Sequence, residues 1–443
     1  MRNPPGGPES KGSRRLGLPS AVALVVANMI GAGVFTTSGF ALADLGRPEP
    51  VLLAWGIGGL LAMCGALSYG ALARRIPESG GEYTFLSRTV HPLAGFLAGW
   101  VSLLAGFTAP IAAAGLALQA YLAEPVRAFA RPEWIGTFAI VAAGIMHGLR
   151  LREGVVLQNL AVGLKLILIV AFVGVGLTLK PLEIDVGALG TGGFELGAFA
   201  VTLVWISFAY SGWNAAVYLA GEIRNPERNL QRSLWMATAL VTVIYLALNA
   251  VFLYSAPVSQ LAGRADIGAV AARALGGPRL SGAVSGLIGI ALFTSISSMV
   301  MVGPRVYAKM ADEGFLPKFF SRGRDVPATA VALQVALSLL VLWMSDLAQL
   351  LGYIGFTLGL SAAATVGGLI VLRRAEGPER VPIPGYPWVP GLFVSATLCV
   401  ALFMAVREPL QAGLGLGTVL LGIPFYWLAR RARLSSPSRT PRG

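Results

Sequence analysis

Long apolar stretches separated by short polar loops fill almost the whole chain. A run of about 20 apolar residues lets a helix cross a bilayer. The runs are too long and too continuous for strands. They predict about twelve membrane helices, the first six at Ser20–Ala43, Val51–Ala73, Leu93–Leu122, Ile135–Leu149, Val155–Leu179 and Leu196–Gly221. The other six are at Leu234–Ser255, Ser281–Gly303, Ala328–Met344, Leu347–Leu372, Val389–Val406 and Leu414–Ala429. The predicted fold class is therefore an all-α integral membrane protein.

Two of these runs are interrupted. The first carries Ala27-Asn28-Met29-Ile30-Gly31-Ala32-Gly33, and the sixth carries Ser207-Phe208-Ala209-Tyr210-Ser211-Gly212-Trp213-Asn214. Each glycine weakens a helix by about 1 kcal/mol relative to alanine. Backbone released from helical pairing is tolerated inside a membrane only where protein or a water-filled cavity receives it. Small residues also serve close helix packing, so one break alone is ambiguous. Two breaks at the first helix of each half match the broken-helix, inverted-repeat plan of secondary transporters. That plan gives repeat one at residues 19–180, repeat two at 195–373, two further helices at 388–430, and tails at 1–18 and 431–443. Five helices per repeat is odd, so the second repeat is inverted.

Composition agrees. The 443 residues are 55% hydrophobic and 12% charged, against about 25% charged in soluble domains. The net charge of +13 does not point to nucleic acid, because the basic residues sit in short loops. Of the 34 lysines and arginines, only Arg47, Arg127, Arg131, Lys180, Arg264, Arg273, Arg279 and Arg407 fall on the side opposite the termini. The positive-inside rule then puts both termini in the cytoplasm. Met1–Leu18 lacks the apolar core of a secretory signal. The two cysteines, Cys64 and Cys399, lie within apolar runs and make no disulfide framework.

The breaks supply chemistry. A half-helix starting near Gly33 presents N–H groups and the positive dipole end, which suit a carboxylate. A half-helix ending near Phe208–Tyr210 presents carbonyls, which suit an ammonium. Facing each other, they would receive a zwitterion. Lys165 is the second signal, a lysine about ten residues into the fifth run and beyond comfortable snorkelling. It could act as a fixed ammonium in place of a sodium ion, release and regain a proton during transport, or simply bond the carbonyls of a broken helix. Ser297 and Ser298, within Thr294-Ser295-Ile296-Ser297-Ser298, could face it. No Asp or Glu is expected in mid-span, which points to neutral substrates. His91 and His147 make no metal set. No P-loop and no nucleophile–base pair stands out, so neither an enzyme nor a cofactor or metal is expected. A channel or a sensor on the same scaffold would need a continuous polar path or a regulatory domain.

Three stretches resemble the amino acid–polyamine–organocation transporters, and among them the L-type branch. They are Ile30-Gly31-Ala32-Gly33-Val34-Phe35, Phe208 through Asn214, and Glu222-Ile223-Arg224-Asn225-Pro226-Glu227-Arg228-Asn229-Leu230. Ile76 to Tyr83, and Arg305 to Tyr307 with Glu313 to Pro317, add support. The resemblance implies a leucine-transporter-like fold of five plus five helices with two more. It implies a substrate site built from Met29, Ile30, Gly31, Ala32, Gly33, Phe208, Ala209, Ser211 and Asn214, with Phe208 as a thin gate and Lys165 at an ion position. It implies a short helix in the loop after Arg74. Two positions depart from the branch, since Ala32 stands for a frequent serine and Ser211 for a frequent glycine. The segment Ala123–Trp134 lacks the cysteine by which some members join a glycoprotein. The expectation is an amino acid exchanger of the plasma (inner) membrane, independent of sodium and of any disulfide-linked subunit. A proton-coupled symporter and a cationic amino acid or polyamine carrier are the alternatives.

Overall fold

The computed structural model describes residues 16–127, 131–148, 153–179, 195–320 and 328–435. Most of the two tails and part of the Ala123–Trp134 segment lie outside these residues. Among the described residues the fold is helical, with a single isolated β-bridge between Leu16 and Ile223.

In chain order the helices are α1 (Leu18–Met29), α2 (Ala32–Leu45), α3 (Pro48–Arg75), α4 (Gly81–Thr89), α5 (Pro92–Val101), α6 (Ala109–Val126), α7 (Glu133–Gly148) and α8 (Glu153–Thr178). They continue as α9 (Leu196–Tyr210), α10 (Pro226–Tyr254), α11 (Val258–Leu261), α12 (Ile267–Asp312), α13 (Ala328–Met344), α14 (Leu347–Glu376), α15 (Trp388–Arg407) and α16 (Pro409–Ser435). Apart from interruptions in the first and sixth, the apolar runs are helical over nearly all their described residues. Among the described residues, nine helices are long and apolar enough to cross a membrane, and Gly163–Thr178 and Ala328–Met344 are shorter apolar helices.

The helices interrupt where the sequence gives a local reason. α5 and α6 join through a π-helical segment, Ser102–Thr108, a backbone irregularity common near functional sites. α12 kinks at Gly276 and Gly277, just before Pro278, because proline cannot supply the N–H the helix would need. The loop after Arg74 does carry a short helix, α4. It opens on Gly80 (φ 122°) and Gly81 (φ 57°), a conformation that favours glycine. His91 caps α5, its Nδ1 accepting from the N–H of Leu93 at 3.1 Å.

Buried apolar side chains form one large core at the centre of the bundle and a smaller cluster around Tyr83, Phe96 and Tyr307. Large apolar residues on α7, α8, α15 and α16 remain exposed, among them Phe138, Ile167, Leu402 and Leu420. That inversion of the soluble pattern fits a surface solvated by lipid.

Candidate functional site

α1 ends at Met29. Ile30 (φ −77°, ψ 93°) and Gly31 (φ −140°, ψ −152°) are extended, and α2 starts afresh at Ala32. The sixth run breaks in the same manner. α9 stops at Tyr210, Ser211 is non-helical, Gly212 takes φ 94°, and the chain continues as a 3-10 helix over Ala215–Glu222. Only glycine adopts that φ without strain.

The two breaks touch. A Cβ added at Gly33 would lie 2.4 Å from Cα of Ala209, and one at Gly212 would lie 2.8 Å from the carbonyl oxygen of Asn28. The glycines therefore both loosen the helices and let the two backbones meet. This close approach is the packing that small residues allow.

Ending a helix leaves carbonyls without partners, and starting one leaves N–H groups without partners. On the carbonyl side the fold supplies side-chain donors. Lys165 Nζ donates to the carbonyl of Ile30 at 2.8 Å and reaches that of Ala27 at 3.5 Å. The hydroxyl of Tyr245 on α10 lies 2.6 Å from the carbonyl of Met29 and 3.1 Å from that of Ala209. One buried hydroxyl thereby spans both breaks. On the donor side, the N–H groups of Gly31, Ala32 and Gly33 find no acceptor among the described residues. All three residues line a cavity of about 150 Å³. Open amides at a helix N-terminus suit an anion.

The same cavity is lined by Met29, Phe208, Ala209, Ser211 and Asn214, so eight of the nine substrate-site candidates share one wall. Ile30 does not line it. Its side chain is fully buried and its carbonyl is taken by Lys165. Lys165 also lies outside the cavity wall, 1% exposed, behind the first break. Neither serine expected beside it hydrogen-bonds it among the described residues. Ser297 shares a 2.8 Å hydrogen bond with His147, and the Ser298 hydroxyl is buried with no partner among the described residues. Their neighbour Ser295 takes the cavity position instead, facing Gly31.

Behind the breaks an aromatic cluster fixes the geometry. Trp55 of α3 lies edge-on to Tyr210 and Tyr245, with ring centroids 5.7 and 5.3 Å apart. Tyr210 donates to the carbonyl of Trp55 at 3.0 Å. The Trp55 indole donates to Ser38 at 2.8 Å, and Ser38 donates to Asn249 at 2.5 Å. These contacts join α2, α3, α9 and α10 through buried, satisfied polar groups, which rigidify a core.

No Asp or Glu falls within an apolar run, as expected, yet one carboxylate reaches the cavity from outside them. Glu82 sits in the first turn of α4, in the loop after α3, yet it is 6% exposed and lines the cavity. It lies outside every apolar run, and only the preceding Gly80-Gly81 pair signalled a sharp re-entry of the chain. Tyr245, Tyr218 and Trp55 were likewise not singled out, since an aromatic in an apolar run looks like core.

Residues 16–420 match the family model described as amino acid permease. The chain belongs to the amino acid permease family. Family members with curated descriptions are similar along nearly the full length. The human "Large neutral amino acids transporter small subunit 2" is 27% identical over 436 residues, covering 94% of this chain and 80% of that protein. The "Asc-type amino acid transporter 1" of Mus musculus is 26% identical, covering 94% and 81%. The "Serine/threonine exchanger SteT" of Bacillus subtilis (strain 168) is 28% identical, covering 95% and 98%. For a permease of this family, a cavity between two broken helices is a chemically sensible place for a zwitterion.

Proposed function

We propose that this permease exchanges neutral amino acids across the membrane by alternating access, without sodium. The observation that carries this reading is the cavity itself, with three open amides of α2 meeting the carbonyl ends of α1 and α9. The amides of Gly31, Ala32 and Gly33 take the substrate carboxylate, and the carbonyl ends at Met29 and around Phe208–Ser211 take its ammonium. Phe208 closes over the bound substrate, and Asn214 orients it from below. Lys165 supplies a fixed cation at the end of α1, so no free cation is needed there. The relatives' names, two of them citing neutral amino acids or serine and threonine, support a neutral substrate.

The architecture that goes with this function has twelve spans, with repeats over 19–180 and 195–373 and two added helices over 388–430. Both termini are cytoplasmic, in the inner (plasma) membrane, as the distribution of basic residues supports. The protein works without a disulfide-linked partner, because the segment Ala123–Trp134 has no cysteine to make the link.

Counterflow in proteoliposomes tests the reading. Uptake of labelled neutral amino acid should require unlabelled amino acid inside and should not change on removing sodium. Uptake that needs no internal amino acid and collapses without a pH gradient would establish proton symport instead. Uptake confined to lysine or a polyamine would overturn the neutral-substrate assignment.

A further inference from the structure

Beneath the cavity lies a buried carboxylate with an unusual set of partners. Glu82 accepts from the hydroxyl of Tyr69 on α3 at 3.1 Å, and from the Asn214 side-chain amide and the Tyr218 hydroxyl on the stretch that follows the second break. Among the described residues no lysine, arginine or histidine forms an ion pair with it. A buried carboxyl group without a counter-ion depends on its hydrogen bonds to offset the loss of water. Here all three donors belong to elements that must stay together for the floor to remain in place.

The surrounding contacts repeat the theme. Gly81 packs directly on the ring of Tyr218, where an added Cβ would come within 2.2 Å. Ser79 Oγ accepts from the N–H of Gly221 at 2.9 Å. Tyr69 also lies edge-on to Trp213, centroids 4.6 Å apart. Tyr69 and residues 79–82 therefore hold the 213–221 stretch at Trp213, Asn214, Tyr218 and Gly221. On the same face the backbone of Leu16 pairs with Glu222 and Arg224.

From this geometry we infer that Glu82 is a positioning residue, a latch that holds the segment after the second break against α3 and α4 while the cavity is closed towards the N-terminal face, the one on which Leu16 lies. Opening that face requires the stretch from Asn214 to Glu222 to leave α4, and the carboxylate's bonds to Asn214 and Tyr218 must part as it does. The inference rests on the transport reading above. It adds the element that sets the balance between the two faces.

The test uses reconstituted full-length protein in which Cys64 and Cys399, its only cysteines, are replaced by alanine. Ala220, 1% exposed on the gripped stretch, is changed to cysteine as a reporter. A membrane-impermeant maleimide is applied from the N-terminal face. Glu82→Ala should raise the labelling rate about tenfold, because the latch's hydrogen bonds favour the closed state. It should also raise the apparent KM for substrate offered from the opposite face about tenfold, by depleting the state open there, and leave KM at the N-terminal face no higher. Glu82→Asp should fall between wild type and alanine. Glu82→Gln, which preserves side-chain volume, should shift both readouts in the same direction and carries the test if the alanine variant does not fold. Unchanged labelling in both variants, or a KM that rises equally from both faces, overturns the latch. A wild-type protein that exchanges no amino acid would refute the transport reading, while the labelling result would still decide the latch.

Discussion

Replacing Gly33 by alanine adds one methyl group at the place where the two broken helices meet. That methyl would lie 2.4 Å from Cα, 2.6 Å from Cβ and 3.1 Å from the backbone nitrogen of Ala209. Carbon atoms rest at about 3.5–4.0 Å, so the breaks must part by about 1 Å. The obstacle is backbone, and no side chain can rotate away to relieve it. Overpacking of this kind costs about 1–3 kcal/mol, whereas alanine gains about 1 kcal/mol over glycine as a helix former in α2. Stability should therefore change by no more than about 2 kcal/mol. The misplacement falls on the amides that receive the carboxylate, and transport should drop by about tenfold or more. Counterflow reports transport, and fluorescence-detected melting reports stability. Gly174→Ala, on an exposed position of α8 with nothing within 4 Å of the added Cβ, is the control and should transport normally. Wild-type counterflow from Gly33→Ala would show that contact between the breaks is not needed, and the assigned site would fall with it.

Other substitutions probe the supports of the same site. Lys165→Ala removes the donor to the carbonyls of Ile30 and Ala27, orphaning buried acceptors worth about 1–3 kcal/mol. Counterflow should be lost while gel filtration still shows folded protein, and unimpaired transport would remove Lys165 from the mechanism. Tyr245→Phe keeps the ring packing but deletes the hydroxyl shared by Met29 and Ala209. Its substrate affinity, read by ligand-induced thermal shift, should weaken about tenfold, with little loss of stability in the unliganded protein. Asn249→Ala leaves the buried Ser38 hydroxyl without its acceptor and should lower stability by about 1–3 kcal/mol, measured as a drop in melting temperature.

Helix location was legible in the chain because a membrane helix is specified locally. Outside the two breaks, the described parts of the apolar runs are helix almost throughout, since lipid offers the backbone no other partner and a helix satisfies its own N–H and C=O groups. The breaks at Gly31 and Gly212 were legible for the same reason, because glycine acts on its own backbone whatever surrounds it. Lys165 announced itself as a charge where charge is expensive.

What each polar group would meet was decided only by packing. Lys165 finds the Ile30 carbonyl 135 residues away, and Tyr245 reaches Met29 across 216. Ser297 turned to His147, on a different helix from the lysine it was expected to face. Glu82 entered the cavity from a loop because two glycines fold α4 back under it. Local sequence sets which backbone groups are left open, whereas the crossing of distant helices determines which side chains arrive to close them. The first follows from the apolar pattern of a single segment, and the second exists only once all the segments have packed.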